Sequence, residues 1–139
     1  FGLQKIVQIS STTVKQLRGI LNQAVDEGLS ERETGRLIRE RAPIIAASRA
    51  QTIARTETHA AANYAVQESF KSTGVAARRE WGAAEDERTR EDHIDANGQI
   101  VGLNEPFTVG SESLMYPGDP AGSPEQVVNC RCAVVFVFD

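Results

Sequence analysis

Three stretches of this sequence carry residue types at spacings that could do chemistry. The first is Ala54-Arg-Thr-Glu-Thr-His59, inside a long helical pattern. Glu57 falls four residues after Ile53 and four before Ala61. It therefore faces the same way as a small-apolar stripe formed by Ala46, Ala50, Ile53, Ala60, Ala61 and Tyr64. A carboxylate in that position has to be paired, hydrogen-bonded or protonated. Arg55 lies about 200° round the helix from it, at ~100° per residue, so each needs its own partner from another element. Thr56 and Asn63, seven apart, share a further face. Two readings stay open: Glu57 sits on the rim of a narrower stripe, or the segment docks one half of the chain on the other and forms part of a site.

The second stretch is Asp86-Glu-Arg-Thr-Arg-Glu-Asp-His93. On helical spacing Asp86, Arg90 and His93 share a face with Thr89 beside them, which suits a general acid/base pair or, equally, a solvated charged helix. The third is Asn129-Cys-Arg-Cys132. Cysteines at i and i+2 of an extended chain point the same way, with Arg131 opposite. Two thiols so placed could ligate a soft metal if His93, or failing that His59, approached; otherwise they are two buried thiols capping the last strand. The catalytic candidates are Glu57, His93 and Arg55. No cofactor is expected, with zinc on Cys130, Cys132 and His93 as the alternative. There is no Gly-rich phosphate loop, no H-E-x-x-H and no nucleophile elbow.

The elements that must position these groups read as helices first and strands later. Ser10 to Thr13 offers cap hydroxyls, and Val14, Leu17, Ile20, Leu21 and Val25 follow at helical spacing until Gly28. Ser30-Glu-Arg-Glu33 is a capping box opening a helix that carries Leu37 and Ile38 and stops near Ala42-Pro43. Pro43 suits the first turn of a third, long helix reaching Ser72, with Gly74 just beyond it. Strands are expected over Val75 to Trp81, Ile100 to Leu103, Phe107 to Val109 and Cys132 to Phe138, the last with the look of a buried strand. Asn97-Gly98 reads as a hairpin-type turn, and the stretch from Pro117 to Pro124 as turns. The class is α+β: N-terminal helices, one of them long, followed by a small loop-rich β-sheet.

Composition agrees with a globular domain, at 139 residues, 40% hydrophobic and 24% charged. No apolar run approaches the ~20 residues that span a bilayer, so no membrane partner is expected. The net charge of −4 hides an asymmetry. Residues 1–79 carry 12 basic and 7 acidic side chains, whereas residues 80–139 carry 3 and 12. Two such halves suit docking on each other. Two cysteines are too few for a disulfide-stapled secreted fold. The start at Phe1, without Met or leader, suggests a piece of a longer protein.

Taken in order, the segments resemble the phage Mu F-like head morphogenesis domain of minor head proteins. The matching pieces are Ile53-Ala-Arg-Thr-Glu-Thr58 with Asn63, Gly74-Val75, Trp81, Asp86, Arg88-Thr-Arg90, His93 and Asp95. Asn97-Gly-Gln99, Pro106-Phe107, Pro117-Gly-Asp-Pro120 and Asn129-Cys-Arg-Cys132 complete the set. Asn97 stands where the family usually has Asp, which matters little for a turn. The resemblance divides the chain into a helical lead-in, 1–42, and the domain proper, 43–139. It implies a virion protein inside the head near the portal, assembled in the host bacterial cytoplasm. Its partners would be the portal protein and capsid components, with DNA as a further contact and ejection with the genome in some relatives. Other relatives are fused to toxin or protease domains, so the alternative is a nuclease-like or nucleotide-transferring effector enzyme, or a zinc-stabilised module. On the head-assembly reading, Arg55, Glu57, Asn63, Arg88, Arg90, His93 and Asn129 form a structural polar seam, with guanidinium groups from the C-terminal half clamping Glu57.

Overall fold

The computed structural model describes residues 11–43, 45 and 47–138. Three helices come first: α1 (Ser11–Glu27), α2 (Glu31–Arg41) and α3 (Ala47–Ser72). The remainder is short elements in the order β1 (Arg78–Gly82), α4 (Glu91–Ala96), β2 (Ile100–Gly102), β3 (Phe107–Val109), β4 (Glu112–Leu114), α5 (Pro124–Val127) and β5 (Ala133–Val137). This is the α+β arrangement the sequence predicts. No helix among the described residues is long and apolar enough to cross a membrane.

The capping box at α2 is formed as read: the Glu33 amide donates to Ser30 Oγ at 3.1 Å and the Ser30 amide to Glu33 Oε2 at 2.8 Å. Gly28 and Gly74 end α1 and α3 with φ of 65° and 71°, a backbone region open to glycine. One expectation at α3 is corrected. Pro43 lies in the turn before the helix rather than in its first turn, and α3 starts at Ala47. Ser10 of the expected cap and Ala46 of the stripe lie outside the described residues.

Two apolar clusters organise the chain. Leu17 and Ile20 of α1 and Ile38 of α2 pack on Ala50, Ile53 and Ala54 in the N-terminal part of α3. Trp81, Phe107, Val109, Leu114, Cys130, Cys132 and Val134 form the second cluster. The sheets are antiparallel: one of order β2-β1-β5, with Trp81 opposite Val134 and Arg79 opposite Phe136, and a separate β3-β4 hairpin.

Three further expectations are corrected here. The terminal strand β5 is an edge strand buried on one face only, with Val135 exposed. Its β-branched composition fits a half-buried surface equally well. Asn97-Gly98 joins α4 to β2 and is no hairpin turn: Asn97 caps α4, and the Gly98 amide donates to the Trp81 carbonyl at 2.8 Å. Residues 86–90 are turns, with α4 beginning only at Glu91, so helical spacing does not relate Asp86 to His93.

The turn-rich stretch after β4 presses directly on α3. Gly118, at φ 87°, lies so close that an added Cβ would stand 3.0 Å from the Ala60 Cα. Gly118→Ala is expected to cost on the order of 2 kcal/mol in a denaturant titration, strain and contact together. Gly74→Ala shares the positive φ but meets nothing within 4 Å, and should cost about 1 kcal/mol. Equal losses would show that the loop lifts off α3 freely.

Candidate functional site

Beyond Ala54, the buried face of α3 turns polar: Thr56, Glu57, Asn63 and Gln67 are all buried there. Most of this face receives backbone from the β half. Asn63 Nδ2 donates to the carbonyls of Pro117 at 3.1 Å and Cys132 at 3.2 Å, and its Oδ1 accepts from the Val134 amide at 3.4 Å. Thr56 Oγ1 accepts from the Asn129 amide at 3.0 Å. Asn129 itself is held at φ 58°, a left-handed conformation that Asn tolerates better than most residues. His59 Nε2 lies 2.5 Å from the Cys132 carbonyl, which calls for the Nε2–H tautomer. Arg55 bridges Glu31 of α2, at 3.1 Å, and Asn129 Oδ1, also at 3.1 Å.

Glu57 is where the expected clamp fails. Only 5% exposed, it has Oε2 buried with no hydrogen-bond partner among the described residues, and no guanidinium reaches it. Desolvation pushes its pKa up above the usual carboxylate range. The carboxyl lies in the wall of a groove of about 310 Å³, whose other sides include Leu21, Ala24, Val25, Ala61 and Ala65. This is the face away from the seam. The guanidinium that is clamped belongs to Arg79 of β1, which is fully buried. It donates to Gln67 Oε1 at 2.6 Å and to the Gly102 carbonyl at 2.9 and 3.1 Å, reaches the carbonyls of Met115 and Glu105, and lies 5.0 Å from the centre of the Phe107 ring. Sequence reasoning passed over it, although Arg79 stands two residues before Trp81 on a strand and so must face the same way.

His93 is buried behind this seam. Its Nδ1 lies 3.2 Å from Cys132 Sγ and 3.8 Å from Cys130 Sγ, while its Nε2 lies 3.0 Å from Gln126 Oε1. Gln126, likewise unforeseen, donates from Nε2 to Asp92 Oδ2 at 2.5 Å. The two cysteines are free thiols. Cys130 is pushed up by its hydrogen bond to Cys132 and by burial, and Cys132 is pulled down by accepting from Cys130 and facing His93.

All three basic residues of the acidic half, Arg88, Arg90 and Arg131, open with Arg55 and Asn129 on one cleft of about 450 Å³. Arg90 donates to the Val128 carbonyl. Arg131 grips Asp86 through two hydrogen bonds of 2.5 and 2.6 Å. That pair, joined by the Arg88 amide, holds the Asp86 carboxyl well below the usual carboxylate range. The catalytic candidates do not converge. Glu57 lines the apolar groove, Arg55 lines the arginine cleft, and His93 lies in the interior beside the cysteines.

Three comparisons bear on these features. The family described as phage Mu protein F like protein matches residues 15–135. The chain is 30% identical over 141 residues to the uncharacterized protein YqbB of Bacillus subtilis strain 168, covering 99% of this chain and 45% of that protein. It is 32% identical over 116 residues to the NAD(+)–arginine ADP-ribosyltransferase EFV of Enterococcus faecalis V583, covering 81% of this chain and 23% of that protein. The chain thus spans less than half the length of either relative. No solved structure matches it significantly. The family match crosses position 42, taking in most of α1 and all of α2.

A buried carboxylate with no cationic partner among the described residues gives a sharp pH signature. Because its folded pKa lies above the unfolded value, the native state binds the extra proton, and wild-type stability rises as pH falls through that window. Glu57→Gln is expected to stabilise the protein at pH 7, on the order of 1 kcal/mol. The gain should shrink as pH falls through the raised folded pKa and vanish below the ordinary glutamate pKa of the unfolded chain. Urea titrations of both proteins across that range measure it. A loss of stability at pH 7 would reveal a cationic partner for Glu57.

Proposed function

This chain belongs to the family of phage Mu protein F like proteins, and we propose that it acts in phage head morphogenesis as a minor capsid-associated protein. On this reading it sits inside the head beside the portal, is assembled in the cytoplasm of the host bacterium, and has portal and capsid proteins as partners. The observation that carries the reading is the family match across residues 15–135. The geometry supports it, because the polar residues between α3 and the β half are mostly spent on each other, as in a structural joint.

The name of the Enterococcus relative favours the effector reading as a second possibility. That protein is an ADP-ribosyltransferase by name, and this chain covers only 23% of it. We read the shared segment as the part that associates with the head, with the transferase chemistry in the rest of that relative. The separation of Glu57, Arg55 and His93 supports that division, since a hydrolytic or transferase centre needs its acid, base and anchoring groups around one reacting atom.

The arginine cleft gives DNA a place in the same proposal. The acidic balance of residues 80–139 disfavours a duplex lying along that half as a whole, yet its three cations gather at one opening beside Arg55. Arg131 and Arg55 are balanced by Asp86 and Glu31, leaving Arg88 and Arg90 for phosphate.

Two measurements test the proposal. A tagged full-length protein should co-sediment with procapsids and mature virions and be lost from particles assembled without portal; absence from both kinds of particle overturns the reading. Replacing Arg88 and Arg90 together by Ala should lower the salt slope of DNA binding by about 1.8, at ~0.9 per phosphate contact. An unchanged slope removes DNA from the cleft.

A further inference from the structure

His93, Cys130 and Cys132 are the group among the described residues whose donor atoms could hold a metal ion, all within 4.8 Å of one another. Tetrahedral zinc, with bonds of about 2.0–2.3 Å, spaces neighbouring nitrogen and sulfur donors about 3.5 Å apart. The observed separations from Nδ1, 3.2 and 3.8 Å, bracket that value. We propose that His93 Nδ1 and the thiolates of Cys130 and Cys132 bind one zinc ion, with a water as the fourth ligand. The inference is independent of the head-assembly reading.

The donors are oriented for this from behind. A carboxylate can only accept, so Asp92 Oδ2 fixes the Gln126 amide with its NH₂ toward Asp92 and its Oε1 toward His93. Oε1 in turn requires a proton on His93 Nε2. With its proton held at Nε2, the ring in its neutral form presents the lone pair of Nδ1 to the two sulfurs, the tautomer a metal needs. Space for this relay depends on Gly110, where a Cβ would stand 2.4 Å from Asp92 Oδ2 and 3.0 Å from Gln126 Nε2. On the other side, the alternation along the extended segment brings both thiols to one face while Arg131 leaves for Asp86.

Donor chemistry chooses the ion. Two thiolates and an imidazole favour soft or borderline cations such as zinc over magnesium or calcium, which take oxygen ligands. His59 is engaged with the Cys132 carbonyl and does not complete the set. A cavity of about 10 Å³ beside His93 and Cys132, with Thr89 and Ala84 among its walls, has room for one water. On binding, both thiol protons leave to solvent, and two S⁻ charges balance the dication. The ion would tie α4 to the segment leading into β5.

The test uses the full-length protein, purified without chelator. Elemental analysis should find about one zinc per chain. Cobalt(II) added to the metal-stripped protein should give thiolate charge-transfer bands in the near ultraviolet and strong tetrahedral d–d bands in the visible. Cys132→Ser should change or abolish these bands. Gln126→Ala should keep them but weaken cobalt affinity about 10- to 100-fold, an effect a purely structural glutamine would not have. Zinc below roughly a tenth of an equivalent, with no cobalt bands from a protein whose circular dichroism is native, overturns the proposal and leaves two buried thiols.

Discussion

The side chain on which the two parts of this molecule depend is that of Asn63. Its amide satisfies the carbonyls of Pro117 and Cys132 and accepts from the Val134 amide, so three backbone groups from two separate segments are paired at one position of α3. The constraint behind this is general. A loop-rich sheet leaves many peptide groups outside regular ladders, and any that are buried must find a partner. A wholly apolar helix face would exclude water from those groups and give them nothing in return. The C-terminal part of α3 is therefore polar where it is most buried, and Thr56, His59, Asn63 and Gln67 are spaced so that one face meets the β half along its length.

Arg79 answers the same constraint from the sheet side. One planar guanidinium serves the carbonyls of Gly102, Glu105 and Met115 and the Gln67 amide, tying β2, the loop after it, the end of β4 and α3 around a single strand residue. Arginine suits the position because its five donors are fixed in one plane, which a lysine could not reproduce. The contacts between α3 and the β half are built differently from the seam expected in the sequence. Charge on backbone and amide on backbone predominate, and the carboxylate–guanidinium pair imagined at Glu57 is absent.

Helix boundaries set by local chemistry were legible in the residues: the Ser30/Glu33 box, the glycines at 28 and 74, and the apolar spacing of α1 from Val14 to Leu21 describe what forms, whereas Val25 of that spacing is exposed. So was the overall order of helices and strands. The misreadings share a physical cause. Asn97-Gly98 has hairpin chemistry but serves a helix end, and residues 86–90 have helical charge spacing but fold as turns; in both, tertiary contacts override local propensity. β4 and α5 are each too short for periodicity to register. Arg79 was missed because an arginine in a strand reads as solvated, and only the two-residue offset from Trp81 betrays its direction. Gln126 was invisible for a different reason: an amide relay is defined by partners 33 and 34 residues away in the chain, which no local pattern encodes.

The placement of Glu57 then follows from geometry. Its neighbour Thr56 is directed at the β half, and a one-residue step turns a side chain by ~100°. Glu57 therefore looks instead toward the α1 side, into an apolar groove where nothing described compensates its charge. A rim position would have left both oxygens hydrated, and the seam would have supplied donors; among the described residues the buried Oε2 has neither. A charge in such a place is costly to folding and contributes nothing to the joint next door. The resemblance that groups Arg55, Thr56 and Glu57 in one motif thus joins three residues that face three surroundings. Arg55 faces the cleft shared with Asn129, Thr56 the β half, and Glu57 the groove, so the motif marks a helix in contact on several sides at once and not a single cluster of reacting groups.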